Sequence, residues 1–293
     1  MIKELAKSIR EYKKDSLLSS LFIIIEVIME VIIPLIMAYL IDSGISKGNM
    51  NVLVICGILL IIVSLISLAG GSLASIYSSK ASAGFAKNLR HDMYYKVQDY
   101  SFSNIDKFSS SSIVTRLTTD VSNVQNAYMM IIRTALRAPM MLIFSLAMTF
   151  YINYKMAFIF LGVIPILALV LFTISRKAHP LFESVFKTYD DLNNSVQENV
   201  RGIRVVKSYV KEDYEKTKFS KISELIYEKF CKAEKLVVLN GPVMQLSMYT
   251  CILLISWFGS KLIVGGSLST GELTSLLSYT GAILSSLMML SFI

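Results

Sequence analysis

The sequence predicts an all-α membrane protein: six transmembrane helices with long cytoplasmic extensions. Three observations predict it. Hydrophobic residues make up 54% of the chain and charged residues only 17%, whereas a soluble domain is closer to a quarter charged. Six apolar stretches can be read, at about 17–41, 52–76, 138–152, 156–174, 236–257 and 273–293. The 29 Lys and Arg residues sort by side: all but Lys47, Lys155 and Lys261 lie in the N-terminal segment or in the second and fourth gaps between stretches. Cytoplasmic loops carry such an excess because the anionic inner leaflet and the membrane potential resist its export. The expected placement is therefore multi-pass in the cell membrane with the N-terminus in the cytoplasm.

Taken in order, residues 1–15 space Ile2, Leu5, Ala6 and Ile9 along one face, with Lys3, Lys7 and Arg10 elsewhere. That pattern suits an interfacial helix on the cytoplasmic leaflet. The segment is charged throughout and no small-residue cleavage site follows the first span, so no cleaved signal is expected. Span one carries Glu26 and Glu30 near its centre. Their i, i+4 spacing puts them on one helix face, and a carboxylate at that depth needs water or a partner. They are read either as an acidic patch in a central cavity that attracts cationic substrates or as a pair bonded to polar neighbours. Arg133 and Arg137 repeat the i, i+4 pattern and are read as marking the cytoplasmic end of span three.

The outer gaps are short; Asn153-Tyr154-Lys155 barely turns the chain. The inner gaps, about 77–137 and 175–235, are long and poor in proline. Apolar residues recur there at helical spacing, as in Phe186, Tyr189, Leu192, Val196 and Val200. A helix from residue 52 to about 100 would be roughly 70 Å long at 1.5 Å per residue, of which the hydrocarbon takes about 30 Å. These helices are expected to leave the membrane and to turn far below it, with spans four and five reaching away from their own bundle. Two turns stand out. One runs through Ser101, Ser103, Asn104 and Asp106 to the serines at 109–112, a cluster that breaks one helix and caps the next. The other has Gly202, which permits a tight break, followed by Ile203, Val205, Val206 and Tyr209 as an apolar knob on a basic hairpin. An exposed knob of this kind calls for a partner pocket. Pro165 and Pro242 fall in spans four and five, where kinks are tolerated.

Other classes are excluded by pattern. The net charge of +8 is accounted for by topology, so no nucleic-acid partner is expected. Cys56, Cys231 and Cys251 have no metal-type spacing, His91 and His179 are isolated, and neither a disulfide framework nor a metal site is expected.

Phe102, Lys107-Phe108, Ile113, Arg116-Leu117-Thr118 and Asp120-Val121 in the first turn resemble one intracellular loop of ATP-binding-cassette (ABC) exporters. Glu198, Gly202-Ile203-Arg204-Val205-Val206-Lys207 and Tyr209 in the second resemble the other loop. Leu40-Ile41-Asp42-Ser43-Gly44-Ile45, Arg137-Ala138-Pro139 and Asn194 to Glu198 are also similar to that family. The similarity runs along the whole chain and is nearest to bacterial multidrug half-transporters of the heterodimeric subgroup. The resemblance implies an ABC exporter transmembrane domain whose two coupling helices dock on nucleotide-binding domains. They would be Ser103, Asn104, Ile105, Asp106, Lys107 and Phe108 in the first loop, and Ile203, Arg204, Val205, Val206, Lys207, Ser208 and Tyr209 in the second. It implies an intertwined dimer with a second half-transporter, a heterodimer before a homodimer. It also implies an elbow helix at 1–15 and a substrate cavity lined by span six, with Tyr279, Met288, Met289 and Phe292 beside Glu26 and Glu30. Adaptable methionines suit a promiscuous pocket for small amphipathic substrates.

One departure is large. No G-x-x-x-x-G-K-[ST] occurs, so no P-loop cradles phosphates in this sequence, and Gly265-Gly266 lacks the lysine. No ATP hydrolysis and no cofactor are expected in this chain; ATP and Mg²⁺ would enter through a nucleotide-binding domain outside it. Span six ends without a basic flank, so the sequence is expected to be a piece of a longer half-transporter. The function expected is the membrane part of an ATP-driven exporter of amphipathic molecules. Alternatives are a lipid or peptide exporter of the same family, an ATP-independent channel or proton-coupled carrier using Glu26 and Glu30, and a non-transporting scaffold. A channel needs no exposed apolar knob far below the membrane, and a scaffold needs no buried carboxylates.

Overall fold

The computed structural model describes residues 2–101 and 110–292. Within them the chain is helical, with short turns between helices. In chain order the helices are α1 (Ile2–Lys7), α2 (Lys13–Tyr39), α3 (Met50–Gln98), α4 (Ser112–Ile152), α5 (Tyr154–Arg201), α6 (Ile203–Ser208), α7 (Glu212–Val237), α8 (Asn240–Val264) and α9 (Thr270–Phe292). Six helical stretches are long and apolar enough to cross a membrane, as the sequence predicts. Each coincides with one expected span, and the long ones run well beyond it: α3 has 49 residues and α5 has 48. At about 1.5 Å per residue each is roughly 70 Å long, more than twice the thickness of the hydrocarbon.

Two compact units form, Met1–Phe160 with Cys251–Ile293, and Leu161–Thr250. In the first, α2 packs along α3. Ser19, Ile23, Val27 and Val31 of α2 are buried against the small residues Gly70, Ala74 and Ser78 of α3. Gly70 matters because a Cβ there would sit 3.4 Å from the backbone of Phe22 and Glu26. Small residues let two backbones approach, which is how helices associate where lipid removes the hydrophobic drive. The opposite face of α3 exposes Ile55, Ile58, Ile62, Leu65 and Ile66, an apolar surface suited to acyl chains. α9 packs on α2 and α4. Its Tyr279 hydroxyl donates to the Val31 carbonyl at 2.6 Å, and Ser275 donates to the carbonyl of Pro34. Proline cannot continue the α2 hydrogen-bond ladder, and α9 supplies donors beside that interruption.

The second unit is built on a two-helix hairpin. Leu167, Leu171, Ile174, Ala178, Val185, Thr188 and Ser195 are buried along α5 at spacings of three, four and seven, the stripe of a helix packed along one side. Phe182 meets Phe230 edge-on at 6.0 Å, Lys229 donates to Thr188 at 2.8 Å, and Asn199 donates to Glu215 at 3.0 Å. Gap four is thus a long hairpin rather than a loop.

Two expectations are corrected, the single helix over residues 1–15 and the kink at Pro242. The segment 1–15 is not one helix: α1 stops at Lys7, Arg10 takes a φ of 42°, and a 3-10 turn at Arg10–Tyr12 leads into α2. The cause is α3. Asn88 donates to the Ser8 carbonyl at 3.0 Å, Ser8 donates to Asp92 at 3.0 Å, Arg10 pairs with Asp92 at 2.6 Å, and the Tyr12 ring occupies the place where Gly84 has no Cβ. The helical stretch that carries span five breaks at Val238 and Leu239, and α8 starts at Asn240. Pro242 consequently lies in the first turn of α8, where its missing N–H costs no helical bond, and is not an internal kink. α4 is continuous from Ser112, so the helix of span three extends well before residue 138, as expected of the long inner gap.

Candidate functional site

The second unit presents α6 at the turn of its hairpin. Gly202 separates it from α5, and Val210, with a φ of 51°, separates it from α7. A β-branched residue in the left-handed region is strained, so this turn is held by its surroundings. Val206 donates to the Gly202 carbonyl at 3.0 Å and Lys211 to the Val206 carbonyl at 3.0 Å. Lys218 donates to Glu198 at 2.9 Å across the hairpin, and that bond holds its ammonium protonated above the ordinary lysine range. On the outside, Ile203, Val205, Tyr209 and Val210 are all exposed, Tyr209 at 73%. Arg204, Lys207 and Ser208 flank them, also exposed or nearly so, while Val206 is half-buried. The result is an apolar, aromatic-tipped helix with a basic rim, its outer face uncovered by the described residues of its own unit. The first expected coupling segment, from Ser103 to Phe108, lies outside the described residues.

The first unit holds a charged cluster inside its membrane-crossing helices. Arg137 Nη2 donates to both oxygens of Glu30, at 2.6 and 2.9 Å, and Arg137 Nη1 lies 3.4 Å from Glu26 Oε1. The three side chains are only partly exposed, at 33% for Arg137, 30% for Glu30 and 15% for Glu26. Gly71 of α3 faces the Glu26 carboxylate, which would lie 3.0 Å from a Cβ at that position. Arg133 donates to Ser75 at 3.4 Å. A π-helical turn at Ile131–Ala135 lies just before Arg137. Such a turn widens the helix and re-phases the residues beyond it. The i, i+4 spacings suggest an acid pair on one helix and an interface-marking Arg137 on another; the structure places the guanidinium between the two acids. The cue was depth. A π-helical turn, Leu40–Ile45, prolongs α2 to Ile45, and Glu30 and Arg137 each lie 15 residues from the ends of their helical stretches, at Ile45 and Ile152, about 22 Å at the helical rise.

The span-six residues are split. Tyr279 is buried at 1% and bonded to α2, so in this conformation it packs and does not line open space. Met288 is half-buried and Met289 is 41% exposed. The side chain of Phe292 lies outside the described part. Asp42, which the sequence marks only as part of a motif, receives Ser269 at 2.5 Å, Thr270 at 3.4 Å and the Gly271 backbone N–H at 2.9 Å. It thereby caps the start of α9 from the end of the first span.

Among the described residues no group of three or more His, Cys, Asp or Glu is placed to hold a metal ion. The hairpin offers an exposed docking surface and the charged cluster offers charge recognition.

Comparison with known proteins gives a family. Residues 16–288 match the model of the ABC transporter transmembrane region. The chain is 36% identical over 290 residues, 98% of its length, to an uncharacterized ABC transporter ATP-binding protein, YfiB, of Bacillus subtilis, and covers 51% of that protein. It is 25% identical over 285 residues to an uncharacterized ABC transporter ATP-binding protein, Rv1273c, of Mycobacterium tuberculosis, covering 97% of this chain and 49% of that one. It is 24% identical over 212 residues to an ATP-dependent lipid A-core flippase of Pseudomonas aeruginosa, covering 72% of this chain and 35% of the flippase. The chain thus spans about half the length of the first two relatives.

Proposed function

The chain belongs to the family of ABC transporter transmembrane regions, as a multi-pass exporter domain, and from that premise we propose that it carries amphipathic small molecules of the multidrug type across the cell membrane. In this reading its N-terminus is cytoplasmic. Its energy comes from ATP and Mg²⁺ held by a nucleotide-binding domain outside these 293 residues, and its partner is a second half-transporter, different in sequence from itself.

The observation that carries the coupling is α6. It is a separate short helix, set off by Gly202 and Val210, that exposes Ile203, Val205 and Tyr209 at the turn of a stiff hairpin. Exposed aromatic anchors dominate interface energies, and α5 and α7 are long enough to act as levers. Closure of nucleotide-binding domains on ATP would draw such docking helices together and tilt the levers, exchanging an inward-open cavity for an outward-open one. The charged cluster supports a cavity that handles charge: Glu26 is held by Arg137 only at 3.4 Å, while Glu30 takes both hydrogen bonds. Glu26, at 15% exposure against 30% for Glu30, is the more enclosed acid, but held only by the longer ion pair it keeps acceptor capacity for a cationic cargo that reaches it.

A lipid exporter is the second reading, favoured by the similarity to lipid A-core flippases. The test of coupling is Tyr209→Ala in the complete transporter. We expect drug-stimulated ATPase and transport to separate, with folding intact. Unchanged stimulation and unchanged transport would count against docking by α6. Comparing efflux of a cationic dye with flipping of a labelled lipid in the same vesicles separates the two cargo readings.

A further inference from the structure

Only three Lys or Arg residues lie in the outer gaps, and two of them line one cavity. A groove of about 520 Å³ between the start of α5 and the end of α8 is bounded by Lys155, Met156, Phe158, Ile159, Phe258, Lys261 and Leu262. Its floor is built. Met156 is buried, and Gly259 admits it closely, since a Cβ at 259 would lie 3.2 Å from the Met156 methyl and 2.5 Å from Leu273. Its walls are apolar and open, with Phe158 at 60% and Phe258 at 46% exposure. Its rim is cationic and aromatic. The Lys261 ammonium stands 5.0 Å from the Trp257 ring and the Lys155 ammonium 6.0 Å from the Tyr154 ring, the placement of groups at a membrane–water boundary.

Neither ammonium has a carboxylate partner among the described residues. The acids of the outer gaps are Asp42 and Glu272, and both are committed to capping α9, Asp42 to Ser269, Thr270 and Gly271 and Glu272 to the Ser269 N–H. Two uncompensated cations over an apolar trough match one kind of molecule: a negative phosphate head on a hydrocarbon tail. We propose that this groove is a binding site for an anionic phospholipid of the outer leaflet, its phosphate between Lys155 and Lys261 and an acyl chain on Phe158, Ile159, Phe258 and Leu262. The site rests on the six-span topology and not on the transport reading.

The test is native mass spectrometry of the intact transporter in detergent, with phosphatidylglycerol and phosphatidylcholine of identical chains. A basic side chain near the surface contributes about fivefold in affinity for anionic lipid, so the glycerol lipid is expected to be retained on the order of 25-fold better. K155Q with K261Q is expected to bring it down to the choline lipid, K155R with K261R to keep the preference, and K47Q to change nothing. Inorganic phosphate alone is expected not to displace the lipid. Equal retention of the two lipids, an unaffected double Gln variant that is folded by circular dichroism, or displacement by millimolar phosphate would each overturn the assignment, the last in favour of a free-anion site.

Discussion

Replacing Arg137 with Met tests whether the intramembrane cluster is a charge-compensated unit. The perturbation keeps side-chain length and removes the guanidinium, leaving Glu26 and Glu30 on one face of α2 with no cation bonded to them. Removing one partner of a fully buried ion pair costs about 3–5 kcal/mol, because a charge is left unpaired. An exposed pair contributes about 0–1 kcal/mol. Arg137 is one-third exposed and Glu26 and Glu30 less so, so the case falls between these limits and nearer the buried one. We expect a loss of about 2–3 kcal/mol, on the order of 30- to 150-fold in the ratio of folded to unfolded protein. The neutral triple variant, Arg137→Met with Glu26→Gln and Glu30→Gln, is expected to recover all but about 1 kcal/mol, since replacing a whole buried ionic cluster is often nearly neutral. The assay is reversible unfolding in mixed micelles, followed by circular dichroism, for the parent, the single and the triple variant. If Arg137→Met lies within about 0.5 kcal/mol of the parent, or if the triple is no more stable than the single, the compensation argument fails.

The same geometry sets two further outcomes. Glu26→Gln with Glu30→Gln leaves Arg137 as an unpaired cation, so efflux of a lipophilic cationic dye from vesicles is expected to fall well below that of a matched neutral dye; equal loss would mean structural damage, and no loss would mean the acids are scaffolding. Gly271→Ala is expected to destabilise the protein by about 1–3 kcal/mol, because its Cβ would meet the Ala38 carbonyl and Asp42 Oδ2, neither of which withdraws without breaking the α9 cap; unfolding within about 0.5 kcal/mol of the parent would show that the two helix ends part easily.

Much of the fold was legible because its signals are local. A span announces itself by about twenty apolar residues in a row, and loop charge is a count of Lys and Arg by side. The break at Gly202 and the apolar run after it were likewise legible, and α6 begins at Ile203 as that reading requires. Boundaries set by partners distant in sequence were not. The N-terminal segment has amphipathic spacing through Ile9, yet it bends at Arg10 because Asn88 and Asp92 offer it hydrogen bonds and Gly84 offers the Tyr12 ring a berth. Nothing in the periodicity of residues 1–15 encodes those three positions. Span five also looked continuous through residue 238, because hydropathy does not register a helix break between two apolar turns.

The amino-acid sequence by itself determined that six helices cross a membrane, which loops hold the basic residues, and where the second loop turns, since each follows from composition within one turn, one loop or one span. Only the tertiary structure decided who pairs with whom. Arg137 meets Glu30 across 107 residues of chain, Asp42 meets Ser269 across 227, and Lys155 and Lys261 share one groove. Lipid makes the Arg137 pairing consequential: where water cannot solvate a charge, a partner inside the protein has to compensate it. The sequence shows which residues need partners, and the packing of the helices decides which ones they get.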